Sequence, residues 1–577
     1  MSLTPAESLR SLLRSVDRKS YPAYKSLKGQ YQFPDYVLTI DHVQGDPFAA
    51  PSHLTISLPV QKTGIPEAFR KDALCRRALS DFLLRQFSRE ISHFSFKARG
   101  SGKSGLISVS RCGQEVLGRT ACVVTEDRLF VRFHVGFPAV GRSISAGELE
   151  KILFEFLPAA AKKALFFRNL DQKTLESWIF LAEDQAALRA LLKEHKLAAF
   201  VCDGAILPRA SGVSQLPMKD AVPFVSCESL KKTFTLPHKG SITGMGIPTG
   251  ITLIVGGGYH GKSTLLSALQ LGVYDHIPGD GREYVVTDET ALKIRSEDGR
   301  FVKDVDISLF INHLPNGKNT RSFSTEDASG STSQAASIVE GIEAGARVFL
   351  MDEDTSATNF MVRDAFMQRV IAQEKEPITP FLHRARELYD KAGISTILVA
   401  GSSGDFFHIA DTVLQMDSYV PMDITETVKA LLPEYPTLWP SSLSEFRLPE
   451  SRRIMTRPAP AAPGKTYYGR VKDTPEPLKV RTNGKDGFSL GKENVELRYV
   501  EQLCDAEQTA ALGFLLKYAC DRMIDGKHSL KETVCSLLQL LEQKGFSFFA
   551  ENGYVAAGYV IPRPQELYAC LNRFRRP

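Results

Sequence analysis

An α/β core set between an α+β domain and a mostly helical domain is the fold class this sequence predicts, on three observations. The apolar run Ile251-Thr252-Leu253-Ile254-Val255 enters a Gly-rich loop and continues as a helical pattern, Thr264 to Leu269. A second apolar run, Val348 to Met351, ends in Asp352-Glu353-Asp354, and a third spans Thr396 to Ala400. Strands alternating with helices are what a sheet flanked by helices demands.

Around this core, expected at 236–430, the remaining elements fall in order. Residues 1–235 mix short strands with helices, among them the alternating Leu129-Phe130-Val131-Arg132-Phe133-His134-Val135 and the helical Asp184 to Lys196, which predicts the α+β domain. Residues 431–494 read as a linker or arm. Leu432 to Pro477 is Pro-rich and basic, and includes Arg457-Pro458-Ala459-Pro460-Ala461-Ala462-Pro463-Gly464. Residues 495–577 are helical in pattern and contain Arg573-Phe574-Arg575-Arg576.

Composition excludes several classes. With 577 residues, 43% hydrophobic and 24% charged, the chain can bury more than one core. Lys+Arg 71 against Asp+Glu 66 leaves +5, too little for bulk electrostatics to bind nucleic acid; any such site is a local patch. The nine cysteines are scattered without a C-x-x-C pair, which fits a reducing compartment better than a zinc site or disulfide frame. No run approaches the roughly eighteen apolar residues of a membrane span, so no membrane partner is expected. Leu3, Leu9, Leu12, Leu13 and Val16 with Arg10 and Arg14 could be an amphipathic transit peptide, but Glu7 and Asp17 favour a first surface helix and a cytoplasmic location over a mitochondrial one.

The chemistry sits in the core. Gly256-Gly257-Gly258-Tyr259-His260-Gly261-Lys262-Ser263, followed by Thr264, is a P-loop in the strand–loop–helix order the motif needs. The glycines permit a tight turn whose N–H groups surround phosphates at a helix N-terminus. Lys262 supplies a cation to the β and γ phosphates, and the Ser263 hydroxyl is suited to Mg²⁺. Asp352, at the end of the second apolar run, can hold Mg²⁺ through water, and Glu353 can polarise the attacking water.

Ala328-Ser329-Gly330-Ser331-Thr332 opens a helical run that leads into the Asp352 strand. Small residues at a helix start can approach a phosphate closely. Thr332 lies as far from Asp352 as the last residue of an LSGGQ signature lies from the strand-end Asp of ABC ATPases.

Longer words carry the resemblance further. Gly256 to Leu266, His276-Ile277-Pro278-Gly279-Asp280-Gly281-Arg282-Glu283, Glu297-Asp298-Gly299-Arg300 and Asp352 to Phe360 resemble the family called predicted ATPases of the ABC class. So do Ile40 to Ala49, Pro562 to Leu567 and Leu571-Asn572-Arg573. The resemblance implies a P-loop NTPase core of ABC type that takes ATP and Mg²⁺ and hydrolyses ATP to ADP and phosphate. A trypanosome mitochondrial RNA-binding-complex ATPase is similar to this family, which implies single-stranded RNA as a partner by analogy.

One P-loop and one signature per chain imply a head-to-tail homodimer, in which Ser329, Gly330 and Ser331 of each chain face nucleotide held by the other. Two departures bear on rate. The signature reads Ala-Ser-Gly-Ser-Thr, and the D-loop Ser356-Ala357-Thr358-Asn359 has Asn where Asp is usual. Counting back from Ala410-Asp411, the usual switch histidine falls near Gly401-Ser402, where a hydroxyl from Ser402 or Ser403 is a weaker partner. Slow turnover is therefore expected. The alternative is a dimeric binding module stabilised by nucleotide with negligible turnover. A transporter's nucleotide-binding subunit is disfavoured by the large flanking domains.

Other signals stay open at this level. Arg99-Gly100-Ser101-Gly102-Lys103-Ser104-Gly105 is half a P-loop, read either as a basic flexible loop that contacts phosphate or as a plain turn. Phe224 or Phe234 could stack on adenine or belong to the core. The basic stretch Arg447 to Arg498, with Tyr467 and Tyr468, and Arg573 to Arg576 could track a nucleic-acid backbone or be solvated charge.

Overall fold

The computed structural model describes residues 3–363, 370, 376–436, 445–450, 453–456, 463–465, 471–475, 478–550 and 553–575. Two compact units result, Met1–Glu183 with Lys544–Ile561, and Asp184–Gln543 with Pro562–Pro577.

The first unit is built on a seven-stranded, mostly antiparallel sheet. Its strand Arg128–Val135 alternates as expected, with Leu129, Val131, Phe133 and Val135 fully buried on one face. Such alternation suits a sheet with one apolar face. Helices Ala73–Ser92 and Leu157–Leu165 share the core with that face, and the Phe87 ring meets Phe133 edge-on at 5.4 Å. Asp72 caps the first of them, accepting the Cys75 N–H at 2.8 Å. Ala6–Ser15 forms a helix that buries Leu9 and Leu13, so the amphipathic pattern near the start serves packing. The C-terminal segment joins through its backbone: Thr120 N–H donates to Tyr559 O and Ile561 N–H to Gly118 O, both at 2.9 Å.

The backbone of the Arg99–Gly105 loop forms a packed turn and not a phosphate-binding loop of P-loop type. The N–H groups of Ser101, Lys103 and Gly105 donate to Ala139, Pro47 and Gly136 carbonyls at 2.8, 2.9 and 2.9 Å. A Cβ on Gly105 would stand 2.0 Å from Ala98 O. These N–H groups are consumed internally, and the glycines serve close packing rather than a cradle.

The second unit holds a six-stranded sheet in the order Leu292–Ile294, Val348–Asp352, Ser395–Val399, Ile251–Val255, Thr412–Asp417, Val420–Asp423. The first five run parallel, and the last returns antiparallel as a hairpin. Near-continuous apolar strands are what a parallel sheet covered on both faces requires. Helices Gly330–Glu343 and Phe381–Ala392 contribute Ile338, Val339 and Leu388 to the core around Phe349 and Leu398.

A four-stranded antiparallel sheet, Lys231–Leu236, Gly240–Pro248, Leu197–Cys202 and Val285–Thr287, belongs to the same unit. The boundary expected at 235/236 falls inside its first hairpin, where Phe234 pairs with Ile242. Strands that share ladder bonds stay in one unit, and the division lies at Glu183/Asp184, within the helix Gln172–Glu194.

The last part of the expected 431–494 linker is a three-stranded meander, Val480–Asn483, Gly487–Leu490 and Glu493–Glu496. Helix Ala506–Arg522 packs on it so closely that a Cβ on Gly513 would lie 2.7 Å from Val480 Cγ1. By contact, residues 495–543 and 562–577 group with the second unit and 544–561 with the first. Tyr274 O–H donates to Gln502 O at 2.9 Å, and Arg573 makes a buried ion pair with Glu297. Arg453 likewise pairs with Glu343, so these two arginines are interior cations and not a nucleic-acid track. Arg457 to Ala462, Tyr467, Tyr468 and Arg576 lie outside the described residues. The nine cysteines are free thiols, and no helix among the described residues is long and apolar enough to cross a membrane.

Candidate nucleotide site

The strand Ile251–Val255 delivers Gly256 at the C-terminal edge of the parallel sheet, where ligand crevices of open α/β sheets form. The turn there needs glycine twice. Gly256 has φ +133°, and a Cβ on it would sit 2.4 Å from Met416 O; Gly261 has φ +98° and caps the helix Lys262–Leu271. Gly257 and Gly258 complete the loop, and a Cβ on Gly258 would meet open space. Tyr259 takes φ 65° with its side chain 99% exposed. Lys262 Nζ donates to the carbonyls of Gly256 at 2.7 Å and Gly257 at 2.8 Å, so the loop curls around its own cation. Ser263 and Thr264 follow in the helix's first turn, where the dipole favours an anion.

His260 fixes the loop to the hairpin turn after Thr412–Asp417. Ser418 N–H donates to His260 Nδ1 at 2.9 Å, and Tyr419 N–H donates to His260 O at 3.1 Å.

Asp352 ends its strand 8% exposed, with Oδ1 accepting the Asp354 N–H at 3.2 Å. The neighbouring strand pairs in parallel, Asp352 opposite Val399, so the residues that follow the two strand ends meet. Glu353 Oε2 accepts the N–H groups of Gly401 at 2.6 Å and Ser402 at 2.9 Å, and the Ser402 hydroxyl donates to Oε1. Burial pushes the Glu353 carboxyl up, but the Ser402 hydroxyl and the N–H groups of Gly401, Ser402 and Ser403 outweigh it and hold the group below its ordinary range.

The signature helix, Gly330–Glu343, starts at Ser329, whose hydroxyl accepts the Thr332 N–H at 3.4 Å. Ser329 is exposed. Ser331 is buried instead, and its hydroxyl donates to Asn359 Oδ1 at 2.7 Å. Gln334, fully buried, accepts the Ala357 N–H at 2.8 Å and donates to Ser356 Oγ at 3.0 Å. Two side chains thus tie the signature helix to the D-loop. Sequence reasoning passed over Gln334; the available signal was a polar residue directly before the apolar run Ala335-Ala336. Phe224 and Phe234 are core residues, 2% and 5% exposed.

Family models match most of the chain. A family model for the P-loop domain of ABC ATPases matches residues 171–447, and one for the N-terminal part of ATPases of the ABC class matches 6–168. A third, the MRB1590 C-terminal domain, matches 479–577. The chain belongs to the ATPases of the ABC class. The uncharacterized protein MJ1628 of Methanocaldococcus jannaschii is 33% identical to this chain over 187 residues. That match spans 32% of this chain and 40% of the relative. Among solved structures, cbiO1 from Clostridium perfringens, part of the ABC transporter complex cbiONQ, is similar at 14% identity. It covers 41% of this chain and 91% of its own, with a TM-score of 0.26. The ADP conformation of MJ1267, an ATP-binding cassette of an ABC transporter, is similar at 12% identity, covering 41% and 96%, with a TM-score of 0.24.

Proposed function

We propose that this ATPase binds ATP with Mg²⁺ and hydrolyses it slowly in the two composite sites of a head-to-tail homodimer. The observation that carries the reading is the Glu353 carboxylate, held by Ser402 and Gly401 at the sheet edge where the P-loop also lies. The P-loop N–H groups and Lys262 bind the phosphates. The exposed Ser263 hydroxyl and the Asp352 carboxylate, with Oδ2 left over from its turn bond, fit a hard, oxygen-seeking cation and would hold Mg²⁺, which neutralises phosphate charge when bound. Glu353 accepts a proton as water attacks the γ-phosphorus and ADP departs. A carboxylate held below its ordinary range is a weak base, which supports slow turnover.

The same saturation of Glu353 by donors favours a second reading, a dimeric module stabilised by nucleotide without turnover. Single-turnover hydrolysis by wild type and Glu353→Gln separates the two: equal background rates support the module. Sedimentation of Glu353→Gln with ATP tests the dimer, and a strict monomer at saturating ATP refutes it. Single-stranded RNA is the partner we propose, supported by the family resemblance. Crosslinking to cellular RNA with and without ATP, beside Lys262→Ala, tests it, and absence of RNA throughout removes it.

A further inference from the structure

With Phe224 and Phe234 in the core, neither aromatic upstream of the P-loop is free to stack on a nucleotide base. The turn between Thr412–Asp417 and Val420–Asp423 offers a different surface. Its central residues, Ser418 and Tyr419, have φ 50° and 72°. A hairpin turn with two left-handed positions ordinarily selects Asn, Asp or Gly, and a tyrosine there is an outlier that calls for a reason. The Tyr419 ring lies against the P-loop: a Cβ on Gly261 would stand 2.9 Å from Tyr419 Cδ1. Tyr419 N–H also donates to His260 O at 3.1 Å, which ties the backbone that carries the ring to the loop. The residue is nevertheless 50% exposed.

Strand register extends this surface. Val420 stands opposite Asp417 and Met422 opposite Gln415, which puts both side chains on the Asp417 face. That face meets the P-loop, because Asp417 Oδ1 lies 3.0 Å from His260 Nδ1. Val420 and Met422 are 38% and 39% exposed. An aromatic and two aliphatic side chains left open to solvent beside a phosphate-binding turn make a surface for a flat apolar group.

We propose that Tyr419, flanked by Val420 and Met422, is the platform on which the purine base of the bound nucleotide stacks. The inference rests on the nucleotide reading above and adds which residues hold the base. Recognition by a π-face and aliphatic flanks reads area rather than hydrogen-bond pattern, so ATP and GTP bind within a few-fold of each other and CTP binds more weakly.

Calorimetric titration of the full chain with the magnesium complexes of ATP, GTP, CTP and inorganic tripolyphosphate tests this. Wild type is compared with Tyr419→Ala, Tyr419→Phe and Tyr259→Ala. The expected result is a loss of ATP affinity in Tyr419→Ala of about ten- to a hundred-fold. Tripolyphosphate affinity stays at the wild-type level, and Tyr419→Phe restores ATP binding. Retained tripolyphosphate binding also reports an intact P-loop in the variant. Unchanged ATP affinity in Tyr419→Ala overturns the proposal. So does an equal fall for ATP and tripolyphosphate, or a loss confined to Tyr259→Ala. Wild type that binds neither ATP nor tripolyphosphate refutes the nucleotide reading itself.

Discussion

Replacing Ser402 by alanine deletes the side-chain hydrogen bond to Glu353 Oε1 and leaves the two backbone donors on Oε2, at 2.6 and 2.9 Å, in place. A hydrogen bond to a charged group contributes about 1.5–3 kcal/mol when water is excluded. Glu353 is only part-buried, and screening by solvent reduces this to about 1 kcal/mol, a factor of about five. Two effects follow, each with a definite sign. Glu353 loses orientation, which slows single-turnover hydrolysis by up to about fivefold and outweighs its gain in basicity, because only a fraction of a change in base strength reaches the rate. Its carboxyl also rises toward the ordinary value, because one of the groups that holds it down is gone. Wild-type Glu353 stays ionised to lower pH than the variant's, and the acid limb of the pH–rate profile therefore moves to higher pH in Ser402→Ala. Ser402→Thr keeps the hydroxyl and restores both rate and limb. The assay is release of labelled phosphate from ATP under single-turnover conditions across that acid limb. An unchanged rate with an unmoved limb in Ser402→Ala refutes the idea that this hydroxyl positions Glu353.

Other perturbations are read by stability. Gln334→Leu strips the partner from the Ala357 N–H and should cost about 1–3 kcal/mol in denaturant unfolding, with weaker ATP-driven dimerisation as a second readout. Burial pushes the Asp280 carboxyl up, but the His276 hydrogen bond and charge with Arg282 outweigh it and pull the group down to about 2. Its folded value lies below the unfolded one, so the stabilisation, about 2 kcal/mol, is complete above about pH 4 and lost as pH falls toward 2. Asp280→Asn should lower urea midpoints at neutral pH and flatten that acid slope. Burial, with His134 and His42 adding to it, pushes the His53 imidazole down to about 4. The unfolded chain takes up that proton near pH 6.5 and the folded one only near 4, so stability is lost as pH falls between them, by about 2 kcal/mol after screening. His53→Gln should flatten midpoints over that window, and an unaltered slope would show that His53 does not titrate there.

The nucleotide site is legible in the sequence where its chemistry is local. The P-loop is one continuous strand, loop and helix, and Asp352-Glu353 follow directly from an apolar strand. Counting back from Asp411 points to Ser402, and Ser402 lies against Glu353 because adjacent parallel strands of similar length end side by side. Contacts between distant segments are not written locally. The Arg99–Gly105 spelling resembles a cradle, yet its N–H groups serve carbonyls of Pro47, Gly136 and Ala139. The 235/236 boundary failed for the same reason: Leu197–Cys202 pairs with Gly240–Pro248, and nothing within either segment reveals the other. The strands after Val480 were hidden by the Pro-rich, basic composition just before them.

The two departures from ordinary ABC residues become a single physical change once the chain is folded. Ser331 stands where the signature usually has Gly, and Asn359 where the D-loop usually has Asp, and the first donates to the second at 2.7 Å. Glycine could not donate that hydrogen bond, so the serine adds a tie between helix and loop that the asparagine oxygen completes. Gln334 adds two further bonds along the same seam. The cost of this tie is that the Ser331 hydroxyl is engaged within its own chain, leaving the Ser329 hydroxyl exposed at the helix start. The loop bonded to that helix also begins with Asp352 and Glu353. In the proposed dimer, these hydrogen bonds are the contacts through which a displacement of the signature helix by the partner's nucleotide would reach the strand end that carries the acids.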